Sequence, residues 1–154
     1  MAENGEKQAK KYKLIKSNIA GLFRIQALID FNDVKKGDIG GYVGSKKNLS
    51  HYGNAWVYGN AKVYGNAEVY GNACVYGNAE VSSDADYIVF KNFWSSGRYF
   101  TWTRSNNMWR VGCFYGKGDE LIEKAYKDSE MNGREYERVV RYVNDIIKDR
   151  ENGK

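Results

Sequence analysis

Residues 52–81 read YGNAWV, YGNAKV, YGNAEV, YGNACV and YGNAEV, five consecutive six-residue units with one variable position each. A short fixed period means a stacked architecture, and it has to be read before any single strand or helix. Every unit places an alanine (Ala55, Ala61, Ala67, Ala73, Ala79) two positions before a valine (Val57, Val63, Val69, Val75, Val81). Residues two apart in an extended segment share a face, so each Ala-x-Val pair is expected to point inward. The Tyr-Gly-Asn that follows turns the corner, because glycine tolerates positive φ and asparagine tolerates the left-handed region. Regularly spaced aliphatics argue against a disordered low-complexity tract.

Three six-residue units close a triangle, giving an 18-residue stacking period. That period assigns partners: Ile39 with Val57 and Val75, and Gly37 with Ala55 and Ala73. Asn48, Asn66 and Asp84 fall in one corner column, Asn54 and Asn72 in another. Lys62 lies over Glu80 on neighbouring strands about 4.8 Å apart, an opposite-charge pair. The stack is expected to begin near Asp38, with imperfect units at Ser45 and His51, and to end near Asp86. Fewer than three turns bury little, so both ends need caps.

An aliphatic residue followed four positions later by a small one resembles the hexapeptide signature of the left-handed parallel β-helix. The stretch FRIQALIDFNDVKKGDIGGYV, then KNLS, then GNAWVYGNAKVYGNA, is similar to YGNA-type hexapeptide-repeat proteins of phage and prophage genomes. The resemblance covers roughly residues 12–85. It implies phage origin and the left-handed β-helix, and it implies no particular reaction, since fold does not give function.

Composition bounds the remainder. The 154 residues suit one domain or one core with an elaborated end. There is no proline, where average usage would supply roughly seven or eight, which fits a repeat-built chain. Cys74 and Cys113 have neither metal-ligand spacing nor a disulfide framework and suit a reducing compartment. The polar N-terminus lacks an apolar core for a secretory signal, and no segment has the apolar length of a membrane span. A cytoplasmic protein is expected. The net charge of +5 is uneven: residues 1–50 carry 10 basic and 5 acidic side chains, 51–90 carry 1 and 4, and 91–118 carry 5 and none. Such asymmetry bears on partners rather than fold.

Taken in order, residues 1–37 read as a mobile charged arm over 1–11 and a strand cap. Its strands are Tyr12–Ile15 and Leu22–Phe31, with Phe23, Ile25, Ala27 and Ile29 on one face. Residues 38–86 form the repeat. Residues 87–154 read as a three-stranded antiparallel meander (Tyr87–Trp94, Arg98–Arg104, Met108–Tyr115) followed by helices at 119–129 and 134–150. Asp119 and Asn132 are the expected N-caps. Tyr136, Val139, Val140, Val143, Ile146 and Ile147 line one stripe of the second helix, which suits packing on the sheet; its polar face, mixed in sign, argues against lying on a membrane.

Candidate chemistry is sparse. Enzymes of the left-handed β-helix group are acyl- and acetyltransferases with a histidine base, so that alternative rests on His51, the only histidine. His51 falls on an inward position beside the cap, where a structural role is expected, and the extra turns and loop that would hold an acyl-CoA are missing. Gly116-Lys117-Gly118 before a helix suits a phosphate, but Asp119 and Glu120 oppose one, and a strand-to-helix turn is the simpler reading. The expected binding surface is the meander: Arg98, Tyr99, Trp102, Arg104, Trp109 and Arg110, with no acid between Lys91 and Lys117. Arginine forks pair with phosphate and flat aromatics stack on bases; the competing reading makes the aromatics core. On an alternating strand Arg98, Phe100, Trp102 and Arg104 share a face, opposite Tyr99, Thr101 and Thr103. Corner residues Tyr52, Trp56, Tyr58, Tyr70 and Tyr76 form exposed columns suited to a homo-oligomer, a trimer or a dimer.

These readings converge on a non-catalytic phage accessory protein of the anti-defence (anti-CRISPR) kind. It would bind a nucleotide-type signal or a nucleic-acid-handling host complex in the host cytoplasm, without cofactor, metal or membrane. A hexapeptide acyltransferase using His51 and a structural phage component are the alternatives.

Overall fold

The computed structural model describes residues 10–92 and 96–151. Residues 1–9 of the expected arm, residues 93–94 at the end of the expected strand and residue 95 after it lie outside them. Two compact units divide the chain: Met1–Ile88 with Thr103–Asn106, and Val89–Trp102 with Asn107–Lys154. The expected cap segment and the repeat therefore share one unit.

In the first unit β1 (Tyr12–Lys16), β2 (Phe23–Ala27) and β3 (Ile39–Val43) pair antiparallel in sequence. Four two-residue strands follow: β4 (Trp56–Val57), β5 (Lys62–Val63), β6 (Cys74–Val75) and β7 (Glu80–Val81). They join a mixed five-stranded sheet of order β1-β2-β3-β5-β7 and a separate parallel pair, β4-β6. The expectation of a mainly β chain built on a short left-handed parallel β-helix is corrected by this arrangement. Among the described residues the sheets are mixed and divided, the longer one runs antiparallel into the N-terminal strands, and two long helices follow. The physical reason is length: two-residue strands hold too little ladder to propagate alone, so the edge is completed by a conventional hairpin instead of another repeat.

Within this framework the repeat spacing survives as register. Trp56 pairs with Cys74, Val57 with Val75, and Lys62 with Glu80, each 18 residues apart. The first pairing is longer: Tyr42 faces Lys62 and Leu49 bridges Val69, a spacing of 20. Two residues more than the period displace the expected frame. Ile39 is 47% exposed opposite Gln26, Gly37 sits in a turn, and Val43 takes the inward place in line with Val63 and Val81. Ile25 and Ala27 are buried, but Phe23 and Ile29 are not. The alanines and valines of the repeat are at most 2% exposed, each valine contributing about 1.5 kcal/mol by burial. All five corner glycines adopt positive φ, from 59° to 70°. Gly40 and Gly41 matter for approach instead: a Cβ there would lie 2.6 Å from Val57 atoms.

Asn54 and Trp56 amides donate to the carbonyls of Gly71 and Ala73 on the next strand. The equivalent carbonyls one step back, Gly53 and Ala55, have no strand to serve them. Lys11 serves them: its Nζ donates to Ala55 O at 2.7 Å and Gly53 O at 3.4 Å, lies 5.0 Å from the Phe31 ring, and is 1% exposed. Asn48 does the same at the next corner but one, with Nδ2 donating to Ala67 O (2.8 Å) and Gly65 O (3.3 Å), while its Oδ1 accepts from the Gly44 and Ser45 amides. Arg24 covers the corner between, donating to Gly59 O and twice to Gly40 O. At the other end side-chain acceptors cover amides: Asp84 for Glu68, Ser105 for Glu80, Asp86 for Ser82 and Ser83.

In the second unit β8 (Tyr87–Lys91), β9 (Tyr99–Thr103), β10 (Met108–Val111) and β11 (Phe114–Gly116) form a four-stranded antiparallel sheet of order β11-β10-β9-β8, with β8 and β9 beginning or ending in the first unit. The expected three-strand meander gains a strand because Met108–Tyr115 is not one run: Gly112, at φ 56°, turns it so that Val111 faces Phe114. Helices α1 (Gly118–Asp128) and α2 (Glu130–Glu151) pack against each other, with Gly133 beside the Tyr126 ring. Their starts differ from expectation. Glu120 Oε1 accepts from the Lys117 amide, and Ser129 Oγ accepts from the Asn132 amide, so neither Asp119 nor Asn132 is the cap residue. Tyr136, Val140 and Val143 of the expected stripe are buried, with Phe100 at 4.6 Å from the Tyr136 ring.

Replacing Asn48 removes four hydrogen bonds from a side chain 1% exposed. Asn48→Ala should lower the unfolding free energy by about 3 kcal/mol, whereas Asn66→Ala, at an exposed corner, should change it by less than about 0.5 kcal/mol. Urea titration of both variants checks this.

Candidate functional site

His51 sits beside the docked N-terminal strand. Its Nδ1 accepts from the Lys11 amide at 3.1 Å, and its ring stacks on Tyr12 with centroids 4.2 Å apart and planes 14° from parallel. Burial, then the charges of Lys11, Lys10 and Lys46, hold its pKa below the ordinary value. The imidazole is therefore neutral with its hydrogen on Nε2, and the nitrogen that has a lone pair spends it on the backbone. A general base needs that pair facing an acceptor substrate. The bond to Lys11 makes His51 an anchor for the segment that carries the Lys11 ammonium.

The corner aromatics separate into two groups. Tyr52 and Tyr70 are 66% and 59% exposed. Tyr58 and Tyr76 pack together at 4.4 Å, and the Tyr58 hydroxyl donates to Asp33. Trp56 is not a surface residue: it is 2% exposed, edge-on to Phe31 at 5.2 Å and to Tyr12 at 6.2 Å. The Asn54–Asn72 column holds, with a side-chain bond of 3.2 Å, whereas Glu80 turns to the Tyr64 hydroxyl and Lys62 lies over the Tyr42 ring.

The expected arginine–aromatic surface is taken apart by burial. Trp102 and Trp109 are 3% and 1% exposed, and Trp102 Nε1 donates to Asn107. Phe100, Thr101, Trp102 and Thr103 are all buried, so β9 is covered on both faces. Tyr99 alone of the four aromatics in Tyr99–Trp109 stands at the surface, with Lys91 Nζ 5.9 Å from its ring. Arg104 belongs to the first unit, where it pairs with Asp86 at 3.4 Å. Burial would raise the Asp86 pKa, but hydrogen bonds from Ser82 and Ser83 and the Arg104 charge outweigh it and leave the carboxyl below its usual range. Arg110, half-buried on β10, faces Tyr115. Gly116-Lys117-Gly118 is a turn into α1 whose leading amides are taken by Glu120 and Asp119 side chains.

Arg98 is different. It is exposed at the mouth of a cleft of about 170 Å³ within the second unit, between the Gly112–Cys113 turn and the inner face of α1. Val111, Leu121, Ala125 and Tyr136 line its buried part, and Lys124 and Asp128 stand at the rim, 3.7 Å apart. The cleft thus offers one cation without a carboxylate partner among the described residues over an apolar floor. Sequence reasoning found Arg98 but not Lys124, Leu121 or the turn. Gly112 inside an apparent strand was the available signal, and the pairing of α1 with β11 was not readable from spacing. Among the described residues no group of three or more His, Cys, Asp or Glu side chains could hold a metal ion, and no helix is long and apolar enough to cross a membrane.

No protein-family model matches the chain, and no curated protein is similar to it.

Because folding lowers the His51 pKa, the folded chain binds fewer protons there than the unfolded chain. Stability from this group is complete above the ordinary histidine value of 6.5 and is lost as pH falls through the lowered one. The unfolding free energy should fall on acidification below pH about 6.5, and this part of the fall should vanish in His51→Gln, which retains an acceptor. Thermal unfolding from pH 7.5 to 5 checks both.

Proposed function

We propose that the protein is a non-catalytic binding protein, of the phage accessory kind its repeat resembles, that antagonises a host complex in the cytoplasm of the infected cell. The observation that carries this is the Arg98 cleft, where an arginine fork borders an apolar floor. The engagement of His51 Nδ1 supports a non-enzymatic role over the acyltransferase alternative. The volume supports one of the two targets suggested by the sequence over the other. At about 170 Å³ the cleft is below the ~300 Å³ at which ordinary small-molecule sites begin. A whole nucleotide would not be enclosed, and the buried tryptophans remove the stacking platform that a base or a single strand would use. A macromolecular complex is the better target. Self-association, as a dimer or trimer, would use Tyr52 and Tyr70, the corner tyrosines with most surface to cover.

In bacteria carrying defence systems, expression of the chain should raise the plaque count of a susceptible phage by tenfold or more, and Arg98→Glu should abolish the gain without changing protein level. Equal plaque counts with and without the chain across such strains would contradict the proposal. Native mass spectrometry should show no nucleotide-sized mass on the purified protein.

A further inference from the structure

The occupant of the Arg98 cleft follows from its two halves, an inference that rests on the binding role proposed above. The charged half is held in place. Arg98 Cδ and Nε lie 3.2 and 3.4 Å from where a Cβ on Gly112 would stand, so the stem runs close over the turn. Gly112 is also at positive φ. Lys124 on the rim already has Asp128, which leaves the guanidinium of Arg98 as the group that an incoming anion meets.

The other half makes no polar offer. Val111, Leu121 and Ala125 contribute hydrocarbon, and the Tyr136 hydroxyl already donates to Ser96 Oγ at 2.6 Å, so it presents ring rather than a hydrogen bond. Burying a sugar hydroxyl over such a floor without a partner is costly. A branched aliphatic side chain, by contrast, gains from the same burial. The anion and the apolar group are therefore neighbours on one molecule, and the arginine fork can pair bidentately with a carboxylate as it does with a phosphate.

We infer that the cleft takes an acidic–aliphatic segment of a protein partner: the carboxylate of an aspartate or glutamate pairs with Arg98, and an adjacent bulky apolar side chain covers Val111 and Leu121. Cys113, an exposed free thiol in the turn beside Arg98, stands at the rim and reports occupancy.

The test uses the full chain and three probes: acetyl-Glu-Leu amide, acetyl-Gln-Leu amide and inorganic phosphate. The methyl resonances of Val111 and Leu121 are followed, together with the rate at which iodoacetamide alkylates Cys113, read by peptide mass so that Cys74 is counted separately. Acetyl-Glu-Leu amide should shift both sets of methyls saturably and slow alkylation of Cys113 at least threefold, with the other two probes at least tenfold weaker. Arg98→Gln should weaken that binding tenfold or more and Lys124→Gln less than threefold. Phosphate binding as tightly as acetyl-Glu-Leu amide would overturn the peptide assignment while leaving a cationic binding cleft. Equal losses in the two variants would overturn the placing of the carboxylate on Arg98. Methyls unmoved by all three probes would overturn both the assignment and the binding role of the cleft.

Discussion

Each edge of a parallel ladder leaves both carbonyls and amides without a strand partner, and in a stack this short both edges lie within a few residues of every core valine. The first unit depends on how those two edges are satisfied. At the first edge, donors reach the corner carbonyls: the Lys11 ammonium, the Arg24 guanidinium and the Asn48 amide each serve a successive glycine corner. At the other edge Asp84, Asp86 and Ser105 accept from the amides of Glu68, Ser82 and Glu80. The same short device is used twice with one atom changed. Ser45–Asn48 and Ser83–Asp86 are both single turns of 3₁₀-helix with reciprocal serine caps. The first ends in asparagine, which accepts from its own turn and donates to the next strand; the second ends in aspartate, which needs only to accept.

Burying an ammonium to satisfy two carbonyls has a cost in proton affinity. Burial lowers the Lys11 pKa to about 8 against 10.5 in the unfolded chain, and the Cys74 thiol recovers a little of it. The folded state then holds fewer protons than the unfolded state between those values, so this group adds stability as pH rises through that window. Tyr12, stacked on His51, is pushed up to about 12 by burial and works in the opposite sense above pH 10, where an unfolded phenol ionises and the folded one does not. The N-terminal segment is thus held by groups whose protonation states are themselves consequences of docking.

Much of this was legible in the sequence, and the limits have physical causes. The inward Ala-x-Val pairs, the positive-φ glycine corners and the Asn54–Asn72 column follow from spacing alone. The displacement of Ile39 was not legible, because two extra residues before the first clean unit shift register without altering composition. Nor was the mixed sheet, since pairing between β2 and β3 depends on Gly40 and Gly41 fitting against Val57 rather than on any periodic signal. Lys11 reads in the sequence as one more charge in a basic arm; its burial follows only from the unpaired carbonyls it meets. In the second unit the pattern of aromatics was plain but its meaning was not: a sheet covered on both faces buries Phe100, Trp102 and Trp109, and of the expected six residues only Arg98 lines the cleft.

Site-resolved amide hydrogen exchange on the full chain tests the central claim, that side chains seal both edges of the ladder. The amides of Glu68, Glu80 and Ser82 are accepted by side chains alone, whereas those of Trp56, Tyr58 and Lys62 are accepted by the next strand. If the edges are sealed, the two sets exchange with protection within about tenfold of each other, through the same global opening. Edge amides exchanging a hundredfold or more faster than the interior set would contradict the account and leave the short stack held by its valines alone.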